Sequence, residues 1–572
     1  MSTMKQIDFE IQGMTCVSCA QHVERALKKV AGVTEAHVPG WESNRATVTV
    51  ETGVNPADLE AYVAKAVSRA AVKISNGQKR ETGRAAVPFI HKGQDGDHFH
   101  LMVIGGGSAG FAAAIKGAEL GYKVALVEAG TMGGTCVNVG CVPSKALIRA
   151  TERYHQAGES PFRGVHTTQG ALNWAQIVAH KDELVAELRQ DKYADVLAAY
   201  PNVTYLQGRA RLTGGNGVEI DGVAYAPDKI ILATGASPWA PPIPGMADAG
   251  SLTSTTAMEL TELPRSLIVL GANAVGLELA QTFARAGTHV TLLELLPRIA
   301  PFEDDAISEA LQGYLEEEGL RIVTTFQTQK VEKQDGRYLL TGTHARGSSS
   351  AAYRDPGLVM RVDAEQLLVA TGRRPNTAGL GLDEAGVQLG KRGEILVDEM
   401  LQTTNPNVFA VGDATGRDMF VYTAAYAGGL AAENALTGSD TPYETSYIAR
   451  LTFTDPQIAS AGMTEQQAVE QGYAVQTSTL PMAYVPRALA ARDTRGLIKL
   501  VADEVTGKLL GAHILAPEAG EVIQTASLAL KLGLTVKDLR GTIFPYLTNV
   551  EGIKLAALAF EKDVAMLSCC AG

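Results

Sequence analysis

The sequence predicts a multidomain α/β protein, with two nucleotide-binding βαβ units in its body and a small βαββαβ domain in front. Three observations carry this. A chain of 572 residues exceeds one hydrophobic core, so roughly three to five domains are expected. A strand, glycine loop, helix and second strand occur in that order twice, and 23 residues separate the first glycine from the closing acid each time. The first 75 residues alternate strand and helix periodicities in the order βαββαβ.

The front domain justifies itself element by element. KQIDFEI alternates as a strand does, and QHVERALKKV places Val23, Ala26, Leu27 and Val30 at helical spacing. EAHVPG and RATVTVE read as strands. NPADLEAYVAKAV has an Asn cap, Pro at the first helical position and an apolar stripe; AVKIS closes as a strand. The order is that of a ferredoxin-like plait. Between the first strand and helix lies GMTCVSCA. Cys19 falls near the helix start, where the dipole favours thiolate, and two thiolates suit a soft ion. Motif and element order together resemble the heavy-metal-associated domains. That resemblance implies that Cys16 and Cys19 bind a soft metal, without separating Cu(I) from Hg(II).

Residues 76–98 lack periodicity and are rich in glycine and charge, so they read as a flexible linker of roughly 25–30 Å. The body begins at residue 99. FHLMVIGGGSAGFAAAIKGAELGYKVALVEAG contains Gly105, Gly107 and Gly110, with Glu128 at the end of the second strand. Gly105 permits the tight turn, Gly107 lets a pyrophosphate approach the backbone, Gly110 lets helix and strand pack, and Glu128 can accept ribose hydroxyls. RSLIVLGANAVGLELAQTFARAGTHVTLLELLPR repeats the pattern with Gly271, Gly276 and Glu294, and with Asn273 at the middle position. Asn tolerates unusual dihedrals better than most residues, which is the expected reason for it here. Two such Rossmann-like sites imply two cofactors that exchange electrons. Glu294 favours a ribose 2′-hydroxyl over a 2′-phosphate, with Arg298 nearby to offset it, so NADH is expected to be accepted, alone or beside NADPH.

Composition sets the outer limits. The 46% hydrophobic and 20% charged residues are ordinary for a globular protein, and a net charge of -12 gives nucleic-acid binding no electrostatic support. The start, MSTMKQIDFE, has no apolar signal core, and no apolar run reaches about 20 residues. No membrane span and a cytoplasmic location are therefore expected. The six cysteines form three close pairs: Cys16/Cys19, Cys136/Cys141 and Cys569/Cys570. In a reducing compartment such pairs serve metal or redox chemistry more often than structure. The adjacent pair near the C-terminus could close only a small strained ring.

GGTCVNVGCVPSKALIRA places Cys136 and Cys141 with four residues between them, ahead of Pro143, Ser144 and Lys145. This stretch resembles the redox-active segment of the FAD-dependent pyridine nucleotide–disulfide oxidoreductases, such as glutathione reductase and lipoamide dehydrogenase. ILATGASP, TTNPNVFAVGDAT and LTFTDPQIASAGMTE follow in that family's order. The resemblance implies an FAD domain in two parts (99–250 and 370–440) around a nicotinamide domain (251–369), then an α+β dimer-interface domain (441–572), and hence a homodimer. It implies that Cys141 lies next to the flavin and Cys136 exchanges with substrate. Lys145 would pair with Glu278, while Thr135, Thr234, Gly235 and Asp413 would contact FAD.

One departure bears on the substrate. Disulfide-reducing members carry H-P-T-x-x-E in the interface domain, whereas FPYLTNVEG puts Tyr546 at the histidine position and keeps Glu551. A phenol of reference pKa about 10 is a poor proton shuttle at neutral pH. Together with GMTCVSCA and the terminal Cys569–Cys570, this resembles the mercury-reducing branch of the family. The branch implies Hg(II) as substrate, with Tyr193 and Tyr546 lining the metal site and Cys569 and Cys570 handing Hg(II) to Cys136 and Cys141 of the other subunit. A dithiol/disulfide oxidoreductase is the alternative enzyme, and a metal chaperone with an idle flavin body the alternative of another class. No alkyl-mercury cleavage site is recognisable.

Overall fold

The computed structural model describes residues 4–12, 33–37, 45–51, 71–74, 98–158, 160–344, 359–563 and 565. Cys16, Cys19, Cys569, Cys570, both expected front-domain helices and linker residues 76–97 lie outside the described residues. The chain divides into two compact units, Met1–Val87 and Pro88–Gly572.

In the first unit four strands, β1 (Met4–Gln12), β2 (Val33–His37), β3 (Arg45–Glu51) and β4 (Ala71–Ile74), form one sheet in the order β2-β3-β1-β4. All its pairings are antiparallel. The split order, with β1 between β3 and β4, is that of the ferredoxin-like plait expected from the sequence.

The second unit opens with β5 (Leu101–Ile104), α1 (Ser108–Glu119) and β6 (Val124–Glu128). Then come α2 (Gly134–Val139), α3 (Cys141–Gly158), α4 (Trp174–Arg189), β7 (Val203–Gln207) and β8 (Lys229–Leu232). All four residues of β5 are buried, as expected for a parallel strand covered on both faces. A second parallel sheet follows: β9 (Ser266–Leu270), α5 (Ala274–Arg285), β10 (His289–Leu293), β11 (Arg321–Val323) and β12 (Gln366–Val369), in the strand order β11-β10-β9-β12. Then β13 (Val408–Ala410) returns to pair with β8, completing a first sheet of order β13-β8-β5-β6-β7. The segment between β8 and β13 is thus an insertion into the first layer.

The two glycine loops share one geometry. Gly105 and Gly271 have φ of +116° and +104°, a region costly for a residue with a Cβ. A Cβ on Gly110 would lie 1.8 Å from Gly105 O, and one on Gly276 would lie 1.9 Å from Gly271 O. Asn273 corrects an expectation: its φ is -103° and ψ -173°, extended backbone that any residue adopts. Its tolerance of unusual dihedrals is not used.

The last layer is a five-stranded antiparallel sheet of β14 (Ala449–Thr452), β15 (Gln457–Gly462), β16 (Val475–Pro481), β17 (Leu497–Asp503) and β18 (Leu509–Ala516). Its order is β14-β15-β18-β17-β16. The helices α6 (Ala519–Lys531) and α7 (Glu551–Leu558) bury Val522, Ile523, Ile553 and Leu555 in the same core. Among the described residues no helix is long and apolar enough to cross a membrane.

A candidate flavin–thiol site

The site lies at the carboxyl ends of β5 and β8. Gly133 and Gly134 both have positive φ, +101° and +61°, and bend the chain into α2. A Cβ on Gly134 would come within 2.5 Å of Gly107 Cα, so the two loops touch through backbone alone. Asn138 holds the turn: its Nδ2 donates to Met132 O at 3.0 Å and Gly134 O at 2.9 Å, and its Oδ1 accepts from Arg189 Nε at 2.7 Å. Cys136 sits within α2, and Cys141 is the first residue of α3.

Both thiols are free and partly buried. Cys141 is lowered to about 7 from 9.0, chiefly by a hydrogen bond from Cys136; the Lys145 ammonium lowers it further, while burial and Glu278 act the other way. Cys136 is pushed up, by the same hydrogen bond first and then by burial. The proton of the pair therefore stays on Cys136, and Cys141 is the sulfur that ionises first. The start of α3 favours that charge as well.

Lys145 and Glu278, 133 residues apart, meet at 2.7 Å. Glu278 is buried, and its other oxygen accepts the Phe453 backbone N–H at 2.9 Å. Lys145 Nζ also lies 4.5 Å above the Phe453 ring. Farther along α5, Gln281 accepts the Asp455 N–H at 2.8 Å, and Arg285 pairs with Glu318 and Asp455. One face of α5 thus fastens the thiol-side lysine to the C-terminal domain.

Cys136, Cys141, Lys145, Glu278, Arg373 and Asp413 line a cavity of about 230 Å³. A second cavity, of about 670 Å³, is lined by Gly105, Glu128, Thr234 and Asn376. Gly107, Thr135, Val139, Ala233 and Gly235 line both, which makes one trough. At its far end Glu128 accepts the N–H groups of Gly106 and Gly130, each at 2.6 Å. In its middle lies the N-terminus of α1, with no acidic residue in the first turn. This order, from a carboxylate for ribose through a helix N-terminus for pyrophosphate to a thiolate and a lysine, fits an extended dinucleotide such as FAD.

Asp413 is partly buried and its carboxyl is raised by burial, against the pull of Arg373, whose Nε is 3.7 Å away. Arg373 also donates to Thr135 Oγ1 at 3.3 Å and to Ala236 O. Sequence reasoning missed Arg373 and Asn376. The signal was there: ATG occurs at 233–235 and again at 370–372. The two segments cross-link, since Thr234 Oγ1 donates to Asn376 O at 2.8 Å and Asn376 Nδ2 donates to Thr234 O at 2.9 Å.

The second nucleotide site copies the first. Glu294 accepts the Ala272 N–H at 2.7 Å and the Leu296 N–H at 2.9 Å. Glu294 is buried, and Arg298 pairs with Asp305. The helix α5 likewise has no acidic residue in its first turn, which suits a second dinucleotide.

Tyr193 falls in a π-helical turn, Gln190–Ala194, a deviation often found at functional sites. Its hydroxyl is 3.4 Å from Ser108 Oγ, its ring is 4.8 Å from Phe111, and its phenol is raised by burial and by the two cysteines. Tyr546 is elsewhere: it is 51% exposed on the C-terminal domain and does not line the thiol cavity of its own chain. Glu551 accepts the N–H of Leu547 at 3.3 Å, at a residue with φ +60°.

Comparison with known proteins fits these parts. Family models match at residues 99–428 (pyridine nucleotide-disulphide oxidoreductase), 448–557 (the dimerisation domain of those enzymes) and 8–71 (heavy-metal-associated domain). A mercuric reductase of Staphylococcus aureus is 43% identical over 571 residues, covering 100% of both chains. One from Shigella flexneri is 42% identical over 591 residues, again covering 100% of both. Among solved structures, the Cu(II) complex of the HOCl-induced flavoprotein disulfide reductase RclA from Escherichia coli aligns with TM-score 0.71 and 29% identity, over 81% of this chain and 99% of that one.

Proposed function

The chain belongs to the pyridine nucleotide-disulphide oxidoreductase family, and on that premise we propose that it reduces Hg(II) to elemental Hg(0) with electrons from NAD(P)H, a mercury detoxification. The observation that carries this is the Cys136–Cys141 pair, hydrogen-bonded sulfur to sulfur, in a cavity that no histidine among the described residues lines. Gly105, Gly107, Gly110, Glu128, Thr135, Lys145, Thr234, Gly235 and Asp413 would hold FAD; Gly271, Gly276 and Glu294 would hold the nicotinamide nucleotide. When bound, these groups supply a two-electron path to the metal.

The residues perform the rest. In the cell Hg(II) arrives as a bis-thiolate, and exchange proceeds by attack of an incoming thiolate before the old ligand leaves. Cys141 supplies the ready thiolate. A metal ligand must be deprotonated, so capture by the second sulfur sends the Cys136 proton to the departing thiolate. Two electrons then reduce the bound ion, and Hg(0), which thiolates no longer hold, leaves. The balance is NAD(P)H + Hg(SR)₂ → NAD(P)⁺ + Hg(0) + RSH + RS⁻. Lys145 and Glu278 keep a fixed charge beside the thiolate, and Tyr193 lines the approach.

The remaining cysteines complete a relay. Cys16 and Cys19 scavenge Hg(II); Cys569 and Cys570 accept it and deliver it to Cys136 and Cys141. A second copy of the chain completes the site, and the surface that supports a homodimer is on the domain matched to the dimerisation model. Ile543 is 93% exposed there, beside Tyr546 and Leu547. Tyr546 then serves the partner's thiols, with Glu551 holding its loop. The protein works in the cytoplasm.

The test is substrate choice. Purified holoenzyme should oxidise NADPH or NADH with thiol-bound Hg(II) and scarcely with lipoamide or oxidised glutathione. Turnover with either disulfide and none with Hg(II) would make it a dithiol/disulfide oxidoreductase.

A further inference from the structure

Among the described residues, His98, His100 and Asp228 form the one group of three metal-ligating side chains whose donor atoms all lie within 4.8 Å of one another. The backbone just ahead of β5 and β8 builds it. Neighbouring side chains of an extended chain point to opposite sides, and Phe99, between the two histidines, is 1% exposed. His98 is exposed and His100 partly exposed on either side of it, so both histidines lie outside the core. The Asp228 N–H donates to Phe99 O and the Lys229 N–H to His100 O, both at 3.1 Å. These bonds carry the β5–β8 pairing back to this level and set Asp228 beside the histidines.

The side chains are already gathered. His98 Nε2 lies 3.1 Å from Asp228 Oδ1, and the two imidazoles meet edge to face at 5.5 Å. His100 packs edge-on against Tyr122 at 5.4 Å, and its Nδ1 accepts the Lys123 backbone N–H at 3.1 Å. Coordination through Nε2 moves the ring proton to Nδ1 and gives the exposed Lys123 amide to water. The side chains of His98 and Asp228 are 59% and 54% exposed, so other positions on an ion stay open to solvent.

We propose that His98, His100 and Asp228 form a binding site for a borderline divalent cation of the Zn(II) or Cu(II) class, independent of the thiol sites. Two imidazoles and a carboxylate suit such ions, whereas thiolates select soft ones; Hg(II) in excess thiol stays on sulfur. The cluster sits at the amino ends of β5 and β8, while the glycine loops and thiols sit at the carboxyl ends. The four residues of β5 lie between His100 and Gly105 and set them roughly 15 Å apart. A cation here clips β5 to β8 at the point where the chain enters this unit, and stabilises the folded state by mass action.

The experiment uses full-length holoenzyme with Cys16, Cys19, Cys569 and Cys570 replaced by Ser and Cys136–Cys141 oxidised, so that no thiol competes. Cu(II) is the probe, read by electron paramagnetic resonance. The result expected is one Cu(II) per chain with splitting from two imidazole nitrogens, affinity at least tenfold weaker in His100→Ala and Asp228→Asn, and a Zn(II)-dependent rise in melting temperature absent from the His98→Ala/His100→Ala double variant. Flavin content and far-UV circular dichroism show that the variants fold. An unchanged Cu(II) spectrum and affinity in the double variant, or no Cu(II) uptake by the parent at 100-fold excess, would overturn the site.

Discussion

Cys136→Ala isolates what makes Cys141 a thiolate. Cys141 titrates at about 7 against 9.0, and the hydrogen bond from Cys136 is the largest cause. That depression is worth on the order of 3 kcal/mol. Without Cys136 the Lys145 charge remains, but so do burial and Glu278, which both oppose ionisation. The midpoint should rise by about 2 units, toward or past 9. A depressed thiol is ionised above its midpoint and protonated below it. At pH 7 the thiolate fraction therefore falls from about one half to about 1%, roughly fifty-fold. The assay is the pH dependence of iodoacetamide alkylation at Cys141, mapped by fragment-ion mass spectrometry, since only the thiolate reacts. A midpoint still near 7 in the variant would show that Cys136 is not the cause and assign the depression to Lys145 and the start of α3.

Other substitutions probe the rest of the site. Glu278→Gln removes a charge that raises Cys141, so the alkylation midpoint should fall below about 7, opposite in sign to Cys136→Ala. The same change weakens the bonds to Lys145 and Phe453 and should cost about 2 kcal/mol in urea unfolding. Gly110→Ala puts a Cβ 1.8 Å from Gly105 O, whereas a Cβ on Gly429 meets nothing within 4 Å. The first variant should purify without flavin and Gly429→Ala with its full complement, by absorbance. Cys569→Ala/Cys570→Ala should lose at least tenfold in kcat/KM for thiol-bound Hg(II) in stopped-flow assays, with NAD(P)H reduction of the flavin intact.

The parts legible in the sequence were those that a few consecutive residues determine. Gly105, Gly110, Gly271 and Gly276 announce both nucleotide loops because each close backbone approach forbids a side chain locally. Cys136, Cys141 and Lys145 stand in one stretch. The pairing of Lys145 with Glu278 across 133 residues was accessible only through family resemblance, since no local pattern encodes it. Tertiary packing hid the remainder. Arg373 reaches Asp413 only because the chain returns to the first sheet at β13, and Tyr193 owes its place to a π-helical turn. Asn273 was read through an assumed dihedral that the loop does not require. The inward turn of Glu294 onto Ala272 and Leu296 is likewise a property of the folded loop, whereas the sequence displayed only a carboxylate at the end of a strand.

In the proposed reaction two electrons from a nicotinamide reach Hg(II) held by thiols. The most direct measurement mixes anaerobic holoenzyme with NADPH or NADH, Hg(II) and excess small thiol, and follows nicotinamide absorbance and mercury vapour together. One Hg(0) is expected for each NAD(P)H oxidised. Nicotinamide oxidation without mercury vapour would rule out Hg(II) reduction and leave the metal as a bound ligand only.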